Sequence, residues 1–310
     1  MRPPRSGRTS IAQRLALSLS VLITLAACGG KAAQIQPSPP YSPPALTFPS
    51  PEASATPTPS HVFVIVLENR SYAQVVGSGY IAQLAQQYGF ASDYHGVSHP
   101  SLPNYLALTS GSTYGIADDG WHSLPAGGLG AQLTTAGTTW RAYMEGMSNG
   151  CYRSPYPYAL KHNPFAYYGG VCPSEVVPFT RFAQDMAGDV PRFVWITPDL
   201  CHDGHDCSNS VVAEWLGQTV PTILGTSAWQ DGGVLFITWD EGEDSANSVL
   251  TLVIHPDPLL HHSDRSYNHY SLLATIEDDL GLPRLGAAAQ ATPIDDLLAS
   301  TPLPRSRQKM

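Results

Sequence analysis

Four short runs of apolar and β-branched residues recur along the chain and predict buried strands. They are HVFVIVL, RFVWIT, GVLFITW and SVLTLVI, at residues 61–67, 192–197, 233–239 and 248–254. Elsewhere, apolar residues spaced three and four positions apart predict helices. The helix-like stretches are 78–89, 101–111, 177–188, 210–224 and 268–281. Strands that alternate with helices predict an α/β domain whose central sheet is mainly parallel and covered on both faces.

The start of the chain has a different pattern. Arginines precede an apolar stretch from Leu15 to Ala27, which is too short to be a good membrane span, so we interpret residues 1–27 as an export signal peptide. The sequence LAACGG that follows resembles a bacterial lipobox, which predicts cleavage before Cys28 and lipidation of that cysteine. An ordinary signal peptide with a chance cysteine is the alternative.

Proline content separates a tether from the folded part. Residues 37–59 contain nine prolines in twenty-three positions, a composition that favours extended chain, so we predict a disordered tether over 28–60. The composition from 61 to 286 is typical of one globular domain. We expect residues 287–310 to form a C-terminal tail, of which the final PRSRQKM is frayed by default.

The charge of the chain limits its partners. It has 25 acidic and 16 basic residues and a net charge of −9, and removal of the arginine-rich leader makes the mature chain more acidic still. Nucleic-acid binding needs basic patches, so we expect no nucleic-acid partner. We expect membrane contact through a lipid on Cys28, at the outer face of the cell membrane, or secretion. The sequence does not indicate an oligomeric state.

The other four cysteines of the chain predict disulfide bonds. They are even in number in a chain with a predicted export signal: Cys151, Cys172, Cys201 and Cys207. Of the three possible pairings we favour nearest neighbours, Cys151 with Cys172 and Cys201 with Cys207, because each bridge closes a loop that also holds candidate site residues. A four-cysteine zinc site is typical of close Cys-x-x-Cys pairs, which this sequence lacks.

Polar residues directly follow three of the predicted strands. Glu68 and Asn69 follow the first, and Asp240 and Glu241 follow GVLFITW. The segment after RFVWIT adds a larger set: Asp199, His202, Asp203, His205 and Asp206. Ligands bind beyond the carboxyl ends of the strands in such sheets. Carboxylates that gather there repel each other unless a cation lies among them, so we predict a metal site.

Ser101 is a candidate nucleophile in the stretch HPSLPNY. It lies at the predicted start of a helix, where free backbone N–H groups can bind a phosphate. A serine hydroxyl can be activated by a base or by a metal ion. An isolated serine in this setting is more often only a helix cap, so its position alone leaves both interpretations open.

Six motifs, in order and spacing, resemble the bacterial and fungal acid phosphatase and phospholipase C phosphoesterase family. They are VIVLENRSY, HPSLPNYLALTSG, KHNPFAYY, ITPDLCHDGHDC, TWDEGED and YNHYSLLATIEDDLGLPRLG. The resemblance covers nearly all of residues 61–286 and is strongest to small secreted acid phosphatases, including a type that acts on phosphoinositides. It implies an alkaline-phosphatase-like three-layer α/β/α sandwich, a serine nucleophile and one divalent metal ion of unknown identity.

The resemblance also implies roles for individual residues. Ser101 becomes the nucleophile, and the implied metal ligands are Glu68, Asn69, Ser101, Asp240 and Glu241. Glu241 replaces the second Asp of some family members, and its longer side chain still supplies an oxygen. His205 with Asp206 matches an Asp-Gly-His-Asp segment of the family, as phosphate contact, proton donor or ligand of the outer coordination sphere. His162 is a further catalytic candidate, and the implied substrate-binding residues are Lys161, His162, Asn104 and His269.

Together these observations predict an exported, metal-dependent phosphomonoesterase, an acid phosphatase that acts on phosphate esters, with phosphoinositides among the candidate substrates. Ser101 attacks phosphorus in line, and water then cleaves the phosphoserine. A phospholipase C-type phosphodiesterase is the alternative within the family; the short chain, without an added lipid-binding domain, favours the monoesterase. A tethered binding lipoprotein that captures phosphate compounds without turnover is the alternative of another class.

Overall fold

The computed structural model describes residues 61–256 and 262–298. The predicted signal peptide, the tether with the lipidation site Cys28, and residues 299–310 lie outside the described residues. Within the described ranges, none of the helices combines the length and the apolar character that crossing a bilayer requires.

Eight strands form one mixed sheet in the order β4-β3-β5-β1-β6-β7-β2-β8. The strands are β1 Val62–Leu67, β2 Gly89–His95, β3 Trp140–Met144, β4 Val176–Pro178, β5 Phe193–Thr197, β6 Val234–Trp239, β7 Ser248–Ile254 and β8 Tyr267–Asn268. β7 runs antiparallel to its neighbours β6 and β2, and every other pair is parallel. The prediction of a mainly parallel sheet is confirmed.

β1 lies near the middle of the sheet and pairs in parallel with β5 on one side and β6 on the other. All of its residues are buried. A strand covered on both faces has no polar side, which explains why its sequence is a continuous apolar run. Because the three strands are parallel, the carboxyl ends of β5, β1 and β6 lie side by side at one edge of the sheet.

Helices cover both faces of the sheet, as the three-layer prediction requires. They are α1 Tyr72–Val75, α2 Gly79–Gln87, α3 Ser101–Ser110, α4 Gly128–Thr135, α5 Phe182–Met186, α6 Asn209–Leu224, α7 Ser227–Gln230 and α8 His269–Leu280. α2 packs against α6, and α3 packs against α8 and α4. Four of the predicted helices, α2, α3, α6 and α8, start and end within about two residues of the predicted bounds.

The predicted helix over 177–188 is largely replaced by other structure. β4 takes its first residues, a 3₁₀ turn spans Phe179–Arg181, and only the five residues of α5 are α-helical. Pro178 fixes its own φ and lacks an N–H group, so it suits the end of a strand better than the interior of a helix.

The folded part continues beyond the predicted boundary at residue 286. A 3₁₀ helix spans Gly286–Gln290, and Ile294 and Leu297 are almost completely buried. Asp296 also accepts hydrogen bonds from the hydroxyls of Ser263 (2.6 Å) and Tyr267 (2.7 Å). The predicted end of the domain at residue 286 is therefore corrected to at least residue 298, because apolar side chains in this segment reach the core.

Candidate active site

The adjoining carboxyl ends of β5, β1 and β6 bring three carboxylates together. Backbone hydrogen bonds continue past the strands: the N–H of Glu68 donates to the carbonyl of Asp203, and the N–H of Asp240 donates to that of Leu67, each at 2.9 Å. The side chains of Glu68, Asp203 and Asp240 have no exposed surface. The strand ends that the sequence singled out thus form the floor of a shared site.

Ser101 is the first residue of α3 and is itself fully buried. Its Oγ lies 3.0 Å from Glu68 Oε2 and 3.5 Å from both Asn69 Oδ1 and Glu241 Oε1. The structure therefore gathers the hydroxyl and the predicted metal ligands around one point. Ser101 stands at the N-terminal end of a ten-residue helix, where the helix dipole favours negative charge.

Asn69 is held in a conformation that few residues adopt. Its φ of 31° lies in the left-handed region, which asparagine tolerates better than most residues. Its backbone N–H donates to Asp240 Oδ1 at 3.2 Å. Its amide oxygen position lies 2.9 Å from Glu68 Oε2 and 3.1 Å from Asp240 Oδ1. Such oxygen contacts are repulsive unless the amide turns to donate its N–H groups or a cation lies among the oxygens.

The residues present fit a divalent cation. Among the described residues, the buried Asp240 Oδ2 has no hydrogen-bond partner. Carboxylate, amide and hydroxyl oxygens are the donors that Mg²⁺, Ca²⁺ and Mn²⁺ prefer. The candidate ligands are Glu68, Asn69, Ser101, Asp240 and Glu241.

His162 lies between two carboxylates. Its Nε2 is 3.2 Å from Glu68 Oε2 and its Nδ1 is 3.2 Å from Asp203 Oδ2. Burial by itself lowers the pKa of His162, but the charges and hydrogen bonds of Glu68 and Asp203 outweigh it and raise the pKa to about 10. We call Glu68, His162 and Asp203 the inner cluster. All three are buried, and each offers a ligand atom within 4.8 Å of the others.

The acidic side chains of the site have shifted pKa values with separate causes. Burial raises the pKa of Glu68, but the positive charge of His162 and hydrogen bonds from His162 and Tyr105 lower it below its ordinary value. Burial raises the pKa of Asp203 to about 6. Burial and the charges of Glu68 and Glu241 raise the pKa of Asp240 well above its ordinary value. A cation is the ordinary means of relieving this repulsion.

The polar residues at the mouth of the site are more exposed. Lys161 Nζ lies 3.0 Å from Asp119 Oδ2 and 3.5 Å from His205 Nε2. His205 Nδ1 lies 2.7 Å from Asp206 Oδ1, and the hydrogen bond from His205 holds the pKa of Asp206 below its ordinary value. His205 and Asp206 are about one third exposed. Lys161, His205 and Asp206 are thus placed where a substrate could reach them.

Gly204 allows the loop after β5 to serve both parts of the site. It has a φ of +103°, and an added Cβ would lie 3.3 Å from the carbonyl oxygen of Glu68. Only glycine adopts this conformation without strain. The turn directs Asp203 toward the buried floor and His205 toward the mouth.

Two predicted substrate contacts lie elsewhere. The amide of Asn104 is buried and fully used: its oxygen accepts from Val97 and Ser98 backbone N–H groups, and its nitrogen donates to the carbonyls of Ser98 and Pro100. Asn104 therefore holds the loop that precedes Ser101. Its assignment as a substrate contact is wrong, because no donor or acceptor remains free.

His269 is also buried behind the site. Its Nδ1 lies 3.1 Å from the Tyr94 hydroxyl, and its Nε2 bonds the carbonyl of Asp240. Burial lowers the pKa of His269 to about 4. Its predicted contact with substrate is corrected to a contact with the backbone of Asp240. The predicted phosphate contact of His162 is corrected too, since its side chain is 1% exposed and both nitrogens face carboxylates.

Asp199 and His202 do not join the site, although they follow the same strand as Asp203. His202 Nδ1 lies 3.0 Å from Glu145 Oε2, and the backbone N–H of Asp199 donates to the same oxygen at 3.1 Å. We call Glu145, Asp199 and His202 the outer cluster; it is only partly buried. The sequence expectation that all strand-end residues meet at one place is thus only partly correct.

Three residues of the site were missed in the assignment of site residues. Asp203 stood among the strand-end residues without a role. Tyr105 lies one helical turn after Ser101, and its hydroxyl donates to Glu68 Oε1 at 2.5 Å. Residues four apart on a helix lie on the same face, so this spacing on the predicted helix could have indicated Tyr105. Asp119 lies in the loop between α3 and α4, where no pattern marks it.

Both predicted disulfides are confirmed. Cys151 pairs with Cys172, and Cys201 pairs with Cys207. The first bridge closes a loop that includes Lys161 and His162. The second closes the loop of Asp203, His205 and Asp206, so the order of the site depends in part on oxidised cysteines.

Comparison with known proteins identifies the class. A profile of the phosphoesterase family matches residues 78–258. A phosphatidylinositol-3-phosphatase of Mycobacterium tuberculosis is 33% identical over 263 residues, which cover 79% of this chain and 85% of that protein. The chain therefore belongs to the phosphoesterase family and is a hydrolase that acts on phosphoric ester bonds, as the motifs predicted.

Further matches agree on class and fold. A probable acid phosphatase of Kluyveromyces lactis is 30% identical over 254 residues, which cover 72% of this chain but only 59% of that protein. An alkaline phosphatase superfamily structure from Vibrio parahaemolyticus has a TM-score of 0.52 at 14% identity, covering 78% of this chain and 74% of that one. The second likeness supports the α/β/α fold alone.

Proposed function

We propose that this chain is an exported, divalent-metal-dependent phosphomonoesterase that hydrolyses phosphate esters through a phosphoserine intermediate at Ser101. One observation carries the proposal: the Ser101 hydroxyl stands at a helix N-terminus, within 3.5 Å of Glu68, Asn69 and Glu241 oxygens. Amide, carboxylate and hydroxyl oxygens around one point suit a cation, and the serine among them suits a nucleophile.

The hydrogen bonds of the buried floor orient the nucleophile. The Ser101 hydroxyl donates to Glu68 Oε2, while Tyr105 occupies the other oxygen of that carboxylate. His162 holds Glu68 from a second side. Glu68 is thereby held as an ionised carboxylate in position to accept the hydrogen bond of the serine hydroxyl. A bound divalent cation would supply Lewis-acid stabilisation to the serine oxygen and the phosphoryl oxygens.

The mouth residues provide for the leaving group. In the first step Ser101 Oγ forms a bond to phosphorus and passes its proton to Glu68 Oε2, while the ester oxygen departs with the bonding electrons. His205 donates a proton from Nε2 to that oxygen, and its Nδ1–H stays hydrogen-bonded to Asp206. In the second step water forms a bond to phosphorus and returns a proton to His205 Nε2, the phosphoserine bond breaks, Ser101 Oγ takes back its proton from Glu68, and inorganic phosphate leaves. Lys161 offsets negative charge on the phosphoryl oxygens.

The substrate class is a phosphate monoester, with phosphoinositides as the first members to test. The mycobacterial and yeast relatives are named for phosphatase activity on phosphatidylinositol 3-phosphate and as an acid phosphatase. Two disulfide bonds are typical of proteins that fold outside the cytoplasm and support export. Anchoring to the outer membrane face through Cys28 remains part of the proposal.

The test is release of inorganic phosphate from p-nitrophenyl phosphate and a soluble phosphoinositide by the purified protein, with a phosphodiester in parallel. We expect Ser101→Ala to lower kcat by about 10³-fold or more, because no other hydroxyl replaces the nucleophile. Ser110→Ala, on the same helix, is the matched control and should keep its activity. Chelation should abolish turnover, and a divalent cation should restore it.

The other outcomes are equally informative. Diester cleavage without free phosphate would replace the proposal by a phospholipase C-type phosphodiesterase. Turnover that survives Ser101→Ala would exclude the phosphoserine intermediate, and turnover that survives exhaustive chelation would exclude the metal. Tight phosphate binding without any turnover would favour a binding protein.

A further inference from the structure

Asp119 holds an unusual position beside the nucleophile. Its Oδ1 accepts a hydrogen bond from the backbone N–H of Leu102 at 3.0 Å, and its Oδ2 accepts one from Lys161 Nζ at 3.0 Å. Its side chain is about one third exposed. One carboxylate from a loop thus occupies a main-chain donor and a cationic donor at the mouth of the active site.

The two donors that Asp119 occupies are those that a phosphoryl group on Ser101 needs. Leu102 is the residue next to the nucleophile, so its N–H lies within reach of an oxygen on a phosphorus bonded to Ser101 Oγ. Pro103 has no N–H to offer, so after the N–H of Ser101 itself that of Leu102 is the next main-chain donor of the helix. A carboxylate presents two oxygens much as a phosphoryl group does, and both accept charge-assisted hydrogen bonds.

Charge makes joint occupancy unfavourable. A phosphoryl dianion bound to Leu102 N and Lys161 Nζ would share both donors with the Asp119 carboxylate, at close to hydrogen-bond distance from it. Two anions that compete for the same two donors at this distance repel each other, so the carboxylate and the phosphoryl group do not bind there together.

We propose that Asp119 occupies the phosphoryl position of the free enzyme, and that a phosphate ester binds by displacing its carboxylate from Leu102 N and Lys161 Nζ. This inference rests on the proposed function of Ser101. The exchange leaves no donor unpaired in either state: the free enzyme satisfies both with Asp119, and the complex satisfies both with substrate. Asp119 weakens the binding of every phosphoryl ligand and returns to its donors when inorganic phosphate leaves.

The experiment measures the affinity of inorganic phosphate for the full-length protein by calorimetry, in the presence of a divalent cation. Asp119→Ala should lower the Kd of phosphate about tenfold, because a competing charge-assisted pair is removed. Asp118→Ala is the matched control. Asp118 is an adjacent, more exposed acid of the same loop that bonds Gly120 N and His122 and should leave the Kd within about twofold.

Gain of affinity separates this role from a structural one. If Asp119 only supported the loop or positioned Lys161, its removal would weaken phosphate binding, and that result would overturn the proposal. An equal gain in both variants would also overturn it, since the cause would then be net charge. If neither the wild type nor Asp119→Ala binds phosphate, the proposal is likewise overturned.

Two further readouts keep the test independent of turnover and of folding. Binding needs no catalysis, so a wild type that binds phosphate but hydrolyses no ester would reject the proposed function while the Asp119 comparison still stands. Should Asp119→Ala fail to fold, a crystal structure of the wild type with vanadate or phosphate would show whether the ligand displaces the Asp119 carboxylate. The Asp119 carboxylate should then lie beyond hydrogen-bond distance of Leu102 N; a contact that persists at about 3 Å would refute displacement.

Discussion

The inner and outer clusters contain the same kinds of residue in different surroundings. Each has two carboxylates and one histidine, with ligand atoms within 4.8 Å of one another, and both draw on the loop that follows β5. The inner cluster is fully buried beside Ser101, whereas the outer cluster is partly exposed. Residue type and spacing therefore do not distinguish them.

Hydrogen bonding does distinguish them. In the outer cluster, Glu145 Oε1 accepts from Trp215 Nε1 at 3.2 Å, and Oε2 accepts from His202 and from the backbone of Asp199. In the inner cluster, each nitrogen of His162 lies 3.2 Å from a carboxylate oxygen, but these hydrogen bonds are poorly aligned. A satisfied network stabilises a loop, whereas a buried, incompletely satisfied one marks a site where a ligand completes the set.

The largest expected difference between the clusters is in activity. His162→Gln should lower kcat/KM about 100-fold, because it removes the group that holds Glu68 ionised and oriented beneath Ser101. His202→Gln, the same substitution in the outer cluster, should change kcat/KM by less than about threefold. Phosphate release by the two purified variants is the measurement, with circular dichroism to show that both are folded. Equal losses in the two variants would mean that the outer cluster also serves the reaction.

A second contrast concerns stability without the metal. In chelated protein at pH 7.5, Asp240→Asn should raise the free energy of unfolding by roughly 1–3 kcal/mol, because it removes one charge from a buried group of like charges. Glu145→Gln should lower it by roughly 1–2 kcal/mol, because an amide N–H₂ would replace an oxygen that accepts a hydrogen bond.

Urea unfolding of both variants and the wild type measures this contrast. Changes of opposite sign in the free energy of unfolding would support the conclusion that the buried carboxylates beside Ser101 bind a ligand, whereas the outer cluster stabilises the fold. A destabilising effect of Asp240→Asn would show that the three carboxylates do not repel one another in the metal-free protein.

The last prediction concerns the free energy of unfolding and how it depends on the charge of Glu277, a buried carboxylate outside both clusters. Burial raises the pKa of Glu277 from 4.5 to about 7, although the N–H of Leu285 favours the charged form. The folded state thus holds the proton more tightly than the unfolded state, so Glu277 costs stability as the pH rises from about 4.5 to about 7. Glu277→Gln should gain nothing below pH 4.5 and about 3 kcal/mol above pH 7, at about 1.4 kcal/mol for each unit by which the pKa is raised. A gain that does not change with pH in urea unfolding would contradict this assignment.

Local sequence was sufficient to predict the central strands, four of the helices and the residues that follow the strands. β1, β5, β6 and β7 are continuous apolar runs, because both faces of the sheet are covered. β2, with alternating buried and partly exposed residues that include Ser92 and Asp93, carried no such signal. β4 and β8 have only three and two residues, and β3, which is as long as β5, has Arg141 within its apolar run, so pairing with a neighbour rather than their own sequence makes these segments strands.

The order of motifs along the sequence was enough to predict the side chains at strand ends and at the helix start: Glu68, Asn69, Asp240, Glu241 and Ser101. Which of the remaining residues meet at the site depends on contacts between distant parts of the chain. Within one loop, Asp203 lies in the buried floor of the site and His202 lies outside it. Asn104 and His269 bond backbone groups instead of facing the substrate. The Asp119 carboxylate accepts a hydrogen bond from Leu102. The reason is that strand ends are local features, whereas the direction of a loop side chain depends on partners far along the chain.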